Sequence, residues 1–194
     1  TNTFQLLISP KEEFHILDHL QRPVGLGMGA MEKVILQEDA MDRALECLRE
    51  FKSVFQAKGG DLKDFHAIGT SILRRASNAE VFIQRVKKEL GIQIQVIDGM
   101  QEAEYIYSGI RNSLPERWDK TSLVMDIGGG STEFILANSE GIIDLISLNI
   151  GVSRIFQMFS FEDPLSNVDI SRIEYFHSRQ QPFSNTPLTC RDLS

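Results

Sequence analysis

The chain has 194 residues, 42% hydrophobic and 24% charged, which are the proportions of an ordinary globular protein long enough for one large domain or two small ones. Its formal net charge of -7 argues against broad nucleic-acid binding, which needs a basic excess, but it leaves room for a small polyanion met by a local cluster of Arg and backbone amides. No apolar run approaches the roughly 18 residues of a membrane span and no basic-then-apolar leader opens the sequence, so no membrane role is expected and the expected compartment is the cytoplasm.

Residues 3–8 alternate into an apolar strand that begins abruptly with Thr1, Asn2 and Thr3, and Phe14, His15, Ile16 and Leu17 read as a further strand. The His15/His19 spacing would suit one helix face, but the stretch is strand-like and lacks the intervening Glu of a zinc-protease helix, so no metal role is assigned to it. Glycines from Gly25 onward mark a loop. From Glu38 to Lys58, Met41, Ala44, Leu45, Leu48, Phe51 and Phe55 keep helical spacing, with acids in the first turn and Gly59-Gly60 beyond the end. Cys47 shares that face with Ala44, Leu48 and Phe51 and reads as a core thiol. With Cys190 far away in sequence, the two cysteines offer neither a metal pair nor a disulfide framework.

Residues 65–69 read as the next strand, and residues 70–75 as the loop or helical turn leaving its C-terminal end. Ligands of open α/β sheets gather at such ends, so Arg74 is a well-placed cation, the alternative being an ordinary surface arginine. Ser77-Asn78-Ala79-Glu80 has the form of a capping box for a helix running through Leu90 and closed by Gly91. Residues 92–97 alternate as a strand stopped by Asp98-Gly99, and residues 101–110 follow as a helix turning Ala103, Ile106, Tyr107 and Ile110 inward. Glu102 lies in its first turn, where the helix macrodipole alone would favour a carboxylate. Residues 114–119 form a polar, proline-containing linker.

The stretch after the linker is the most informative. Ser122-Leu123-Val124-Met125 reads as a buried strand. It leads into Asp126-Ile127-Gly128-Gly129-Gly130-Ser131-Thr132-Glu133 and a second apolar run, Phe134-Ile135-Leu136-Ala137. A strand, a three-glycine reversal and a strand make a tight hairpin whose amides can approach an anion that side chains would exclude. The flanking acids could hold a hard cation beside it, as phosphoryl chemistry requires. The bland alternative is a structural Gly-rich hairpin with two solvated acids. Residues 142–146 then read as a third strand, 151–159 as a helix, 163–166 as a turn and 169–176 as a further helix. Residues 180–194 show no clear period. Residues 3–8 with 14–17 echo 131–136 with 142–146, which suggests two domains related by duplication.

The octet from Asp126 to Glu133 after a Leu-Val-x strand resembles the signature of the exopolyphosphatase/guanosine pentaphosphate phosphohydrolase family, within the actin, sugar-kinase and heat-shock-protein-70 superfamily. Residues 1–8, Gly69-Thr70-Ser71-Ile72-Leu73-Arg74 and Glu102-Ala103-Glu104-Tyr105-Ile106-Tyr107-Ser108-Gly109 match in order, and the resemblance covers roughly residues 1–176. It implies an α/β, actin-like ATPase (ribonuclease H-like) fold: two duplicated domains with mixed sheets flanked by helices, the first over 1–117 lacking its leading strand and the second over 118–194 incomplete. A basic residue that the family often carries at the position of Gly25 is absent here.

The resemblance also implies an activity, the release of terminal orthophosphate from inorganic polyphosphate or guanosine pentaphosphate. Glu102 would be the catalytic base that activates water. Gly128, Gly129, Gly130, Ser131 and Thr132 would cradle the phosphate from the second domain, and Thr1, Asn2, Thr3 and Arg74 from the first, with the active site in the cleft between them. Asp126 and Glu133 would hold Mg2+, with Mn2+ as an alternative. The partners expected are polyphosphate or guanosine pentaphosphate, not nucleic acid or membrane, and a homodimer is left open. Two other readings stand beside this one: a phosphate or alarmone sensor without catalysis, and an ATP-dependent kinase of the same superfamily. The missing leading strand and the absent later phosphate loop lead to one more expectation, that the bare 194-residue polypeptide is inactive and poorly folded, or joins pieces of a longer chain.

Overall fold

The structure, a computed structural model, describes residues 3–11, 15–27, 34–114, 118–159 and 165–179. By packing, the chain forms two compact units, residues 1–98 and 99–194. The division falls well before the linker at which the sequence places a domain boundary, because the helix that carries Glu102 packs with the second unit. Thr1, Asn2, Phe14, the loop at Met28 and Met31, and the tail from Gln180 lie outside the described residues.

In the first unit, strand β1 (Thr3–Ile8) pairs antiparallel with β2 (Asp18–Pro23), Leu6 opposite Leu20. The partner strand thus begins after the stretch expected. Ile16 and Leu17 are exposed, whereas Leu20 lies beside buried Leu6 and packs on the core. Helix α1 (Glu38–Ala57) buries the predicted stripe from Met41 through Phe51, each large apolar side chain contributing about 1.5–3 kcal/mol of burial. Burial, followed by the nearby Glu50 charge, pushes the Cys47 thiol up to about 11, so it behaves as a core residue.

A parallel pair, β3 (Ala67–Gly69) with β4 (Ile94–Val96), is joined through α2 (Ser71–Arg75) and α3 (Ala79–Leu90), and α3 presents buried Phe82, Val86 and Leu90 toward α1. The expected capping box at Ser77 does not form. The N-cap is Asn78 and makes no side-chain cap bond, because its amide is engaged elsewhere: Oδ1 accepts from the Leu36 N–H at 2.8 Å and Nδ2 donates to the Leu36 carbonyl at 2.9 Å. The far end is as expected, with Gly91 at φ +70 in the left-handed C-cap.

In the second unit, β5 (Ser122–Ile127), β6 (Thr132–Ala137) and β7 (Ile142–Leu148) form an antiparallel sheet in that order. Helix α4 (Gly99–Ser113) lies against one face, where Ala103, Tyr107, Trp118, Ile135 and Ala137 make the core. The sequence reading of β5 as a buried strand needs correction. Val124 faces α4, but Leu123, Met125 and Ile127 alternate to the other face and are 60%, 55% and 55% exposed, as an edge strand with one packed side permits.

Arg111 fastens α4 to the β6–β7 turn. Its guanidinium donates to the Tyr107 hydroxyl and to the carbonyls of Asn138 at 3.1 Å and Ser139 at 2.7 Å, and it lies over the Tyr107 and Trp118 rings. Replacing Arg111 by Ala should lower unfolding free energy by about 2 kcal/mol, the combined scale of charge-assisted hydrogen bonds and a partly desolvated cation–π contact. Urea unfolding checks this; a loss under about 0.5 kcal/mol would show the clamp to be incidental.

Helices α5 (Val152–Phe159) and α6 (Asn167–Arg179) follow, with the Phe159 and Phe176 rings edge to face at 5.6 Å. A capping box does occur here: the Ser166 hydroxyl donates to Asp169 at 2.6 Å and accepts from the Asp169 N–H at 3.2 Å. Among the described residues, no helix is long and apolar enough to cross a membrane.

Candidate active site

Register places the acids of the glycine hairpin. Asp126 on β5 lies opposite Glu133 on β6, and Glu133 lies opposite Ser147 on β7. Residues directly opposite in an antiparallel pair share a face, and this row lies on the face covered by α4. At the N-terminus of α4, Gly99 approaches Ser147 so closely that a Cβ on Gly99 would stand 2.5 Å from the Ser147 hydroxyl oxygen. Glu102, in the same first turn, is near enough for its charge to act on Glu133.

Glu133 is 1% exposed. Its Oε1 accepts from the Ser147 hydroxyl at 2.7 Å, while Oε2 is buried and makes no hydrogen bond. Burial is the main cause that raises its pKa above the usual carboxylate range, and the Glu102 and Asp126 charges add to it. The Ser147 and Ser131 hydroxyls oppose the rise by favouring the ionised form. A buried carboxylate with one orphaned oxygen and two acidic neighbours is a site that a proton or a cation would complete. Among the described residues no group of three or more His, Cys, Asp or Glu side chains is already gathered to hold a metal. Mg2+, however, needs only one or two carboxylates beside waters and phosphate oxygens. Asp126 and Glu133 fit that demand.

The glycine turn is organised by its carbonyls. The Gly128 and Gly129 carbonyls accept from the N–H groups of Val152 and Arg154, each at 3.0 Å, in the first turn of α5. In a planar trans peptide the N–H points opposite to the C=O. The amides of Gly129 and Gly130 therefore both point away from α5, as adjacent donors of the kind that form an anion nest. The Gly128 amide is engaged inside the turn, donating to the Ser131 carbonyl at 2.9 Å, and the Thr132 hydroxyl donates to the Ile150 carbonyl. The octet thus divides between donors that shape the turn and donors that it presents.

Gly151 is what lets α5 approach. A Cβ there would overlap the Gly129 carbonyl and the Gly130 nitrogen, all backbone atoms that cannot swing aside. Gly151→Ala should therefore displace the turn, lowering both stability and anion affinity. The check is a thermal melt with and without phosphate, and a variant that melts and responds like the parent would contradict this packing.

The second unit brings Glu102, Asp126, Gly128, Gly129, Gly130, Ser131, Thr132 and Glu133 together. Thr3 and Arg74 lie in the first unit. Arg74 donates to the Ile97 carbonyl at 2.9 Å and borders a hollow of about 490 Å³ whose rim also carries Glu80 and Asp98. Sequence reasoning missed Ser147, Gly99 and Gly151. Gly99 could have been found as the start of α4 rather than a stop after β4, since Gly after Asp before a periodic apolar run suits either reading.

Known proteins resemble the chain over most of its length. The model of the Ppx/GppA phosphatase family matches residues 7–185. The chain is 37% identical over 144 residues, 74% of its length, to the bifunctional 3-dehydroquinate synthase/phosphatase of Fusobacterium nucleatum, and covers 22% of that protein. An exopolyphosphatase crystal structure from Cytophaga hutchinsonii matches with a TM-score of 0.87 at 39% identity, over 93% of this chain and 57% of that one. The Aquifex aeolicus Ppx/GppA family member matches with a TM-score of 0.71 at 30% identity, over 92% and 57%. The α/β class expected for such a chain is the fold observed, and it is shared with these solved structures. The chain spans little more than half the length of these solved relatives.

Proposed function

Because the chain belongs to the Ppx/GppA phosphatase family, we propose that it carries the centre of a phosphohydrolase releasing terminal orthophosphate from inorganic polyphosphate or guanosine pentaphosphate. The observation that carries this is the placement of Glu102: α4 sets a carboxylate in its first turn above the face where Asp126 and Glu133 oppose each other. A pure phosphate sensor has no need for it. The likeness to the Cytophaga hutchinsonii exopolyphosphatase favours polyphosphate as the substrate class.

In this reading Asp126 and Glu133 would hold Mg2+, which would neutralise charge on the phosphate oxygens. The Gly129 and Gly130 amides take up charge that gathers on the equatorial oxygens of the transferred group. Glu102 accepts a proton from water as the water oxygen bonds to the terminal phosphorus and the bridging P–O bond breaks, leaving its electron pair on the shortened chain. The test is orthophosphate release from long-chain polyphosphate, guanosine pentaphosphate and ATP, each with and without Mg2+. Release from either of the first two only with Mg2+ is expected. Transfer from ATP to an added alcohol would instead mark a kinase, and alarmone binding without release a sensor.

A further inference from the structure

The sheet residue opposite Glu133 has no role in the reading above, yet its hydroxyl donates a hydrogen bond to the Glu133 carboxylate. We propose that Ser147 is a positioning residue of this centre: its hydroxyl, given room by Gly99, fixes the Glu133 carboxylate so that Oε2 is presented to a divalent cation shared with Asp126. The inference rests on the metal-assisted reading just given.

Ser147 donates to Oε1 at 2.7 Å, so the contact selects which oxygen is occupied and which is left. The oxygen left is Oε2, buried and unsatisfied, and an unpaired carboxylate oxygen inside a protein is destabilising unless something completes it. Asp126 and Glu133 sit opposite each other in the ladder, at the separation of cross-strand neighbours. Gly99 leaves the room this needs, because an added Cβ would stand 2.5 Å from the Ser147 hydroxyl oxygen and 2.6 Å from its Cβ. Only a glycine at the start of α4 lets Ser147 keep that position. The helix that delivers Glu102 is thereby in register with the carboxylate that binds metal. Groups hydrogen-bonded to a ligating carboxylate fix its orientation, and removing one typically lowers metal affinity about 10–100-fold.

The test is Mg2+ binding to the full chain by isothermal titration calorimetry, with a thermal melt on each sample. Ser147→Ala should weaken Mg2+ by about 10–100-fold, and Ser147→Cys, which keeps a weaker donor, should fall between Ala and the parent. Gly99→Ala should weaken Mg2+ as well, although alanine is the better helix former and a purely structural role would leave affinity unchanged. Parent-like affinity in Ser147→Ala, or in Gly99→Ala if the first variant fails to melt cooperatively, overturns the proposal and leaves the metal reading standing. Absence of Mg2+ binding by the parent chain removes the metal reading itself and the proposal with it.

Discussion

Replacing Glu102 by Gln should lower orthophosphate release by about 10²–10⁴-fold, the usual worth of a positioned general base, while leaving KM for polyphosphate nearly unchanged. Gln is close to isosteric and Glu102 is only half-buried in the first turn of α4, so folding should be unaffected. The substitution also removes a negative charge that acts on Glu133. Mg2+ binding should therefore not strengthen, since one acidic neighbour is lost, and a melt with and without Mg2+ separates this from misfolding. A variant keeping more than about a tenth of parental turnover would remove Glu102 from the base role.

Glu133→Gln should reverse sign between metal-free and metal-loaded conditions. The folded-state pKa of Glu133 is raised, chiefly by burial, so the folded chain holds this proton more tightly than the unfolded chain does. The resulting stabilisation is complete below the unfolded value and is lost as pH rises through the folded value. Glutamine, neutral at every pH, resembles the protonated acid. Without metal, the variant's melting temperature relative to the parent should accordingly climb as pH rises. Asp39, Glu50, Asp61 and Asp169 have lowered pKa values set by hydrogen bonds to Arg43, Arg22, Lys63 and Ser166 in turn, and their contribution is lost as pH falls. They are surface groups common to both proteins and cancel in the difference. With saturating Mg2+ the order inverts, because only the parent gains the binding term, about 2.7 kcal/mol at a hundredfold excess over Kd. Asp126→Asn should also raise the Mg2+ needed, because the amide keeps the shape but loses the charge that a hard cation selects. A pH-independent difference, or equal Mg2+ responses, would contradict this picture of Glu133.

Much of the architecture could be read from periodicity, because α1, α3 and α4 each carry a continuous apolar stripe and the glycine hairpin is bounded by alternating strands. What could not be read depends on tertiary choices. Ser77 and Ser166 both precede an acid by three residues, but the Asn78 amide is drawn to Leu36, so only Ser166 builds the box. Ser147 was hidden by register. Counting back from Ala137 opposite Ile142 would set Glu133 opposite Ile146 and turn Ser147 to the other face. The irregularity between Leu136 and Ala137 shifts the pairing by one residue and brings Ser147 across from Glu133. The division of labour within the glycine turn was equally invisible. Three consecutive glycines look alike in sequence, but Gly128 closes the turn while the peptides ahead of Gly129 and Gly130 are oriented by Val152 and Arg154.

The most direct measurement is a crystal of the chain soaked with Mn2+ and orthophosphate, read by anomalous scattering. A metal peak is expected between the carboxylates of Asp126 and Glu133, with Glu133 Oε2 as a ligand. A phosphate is expected on the Gly129 and Gly130 amides, and a water held by Glu102. A metal bound elsewhere while Glu133 Oε2 stays unpaired, or a phosphate that avoids the glycine turn, would contradict this arrangement.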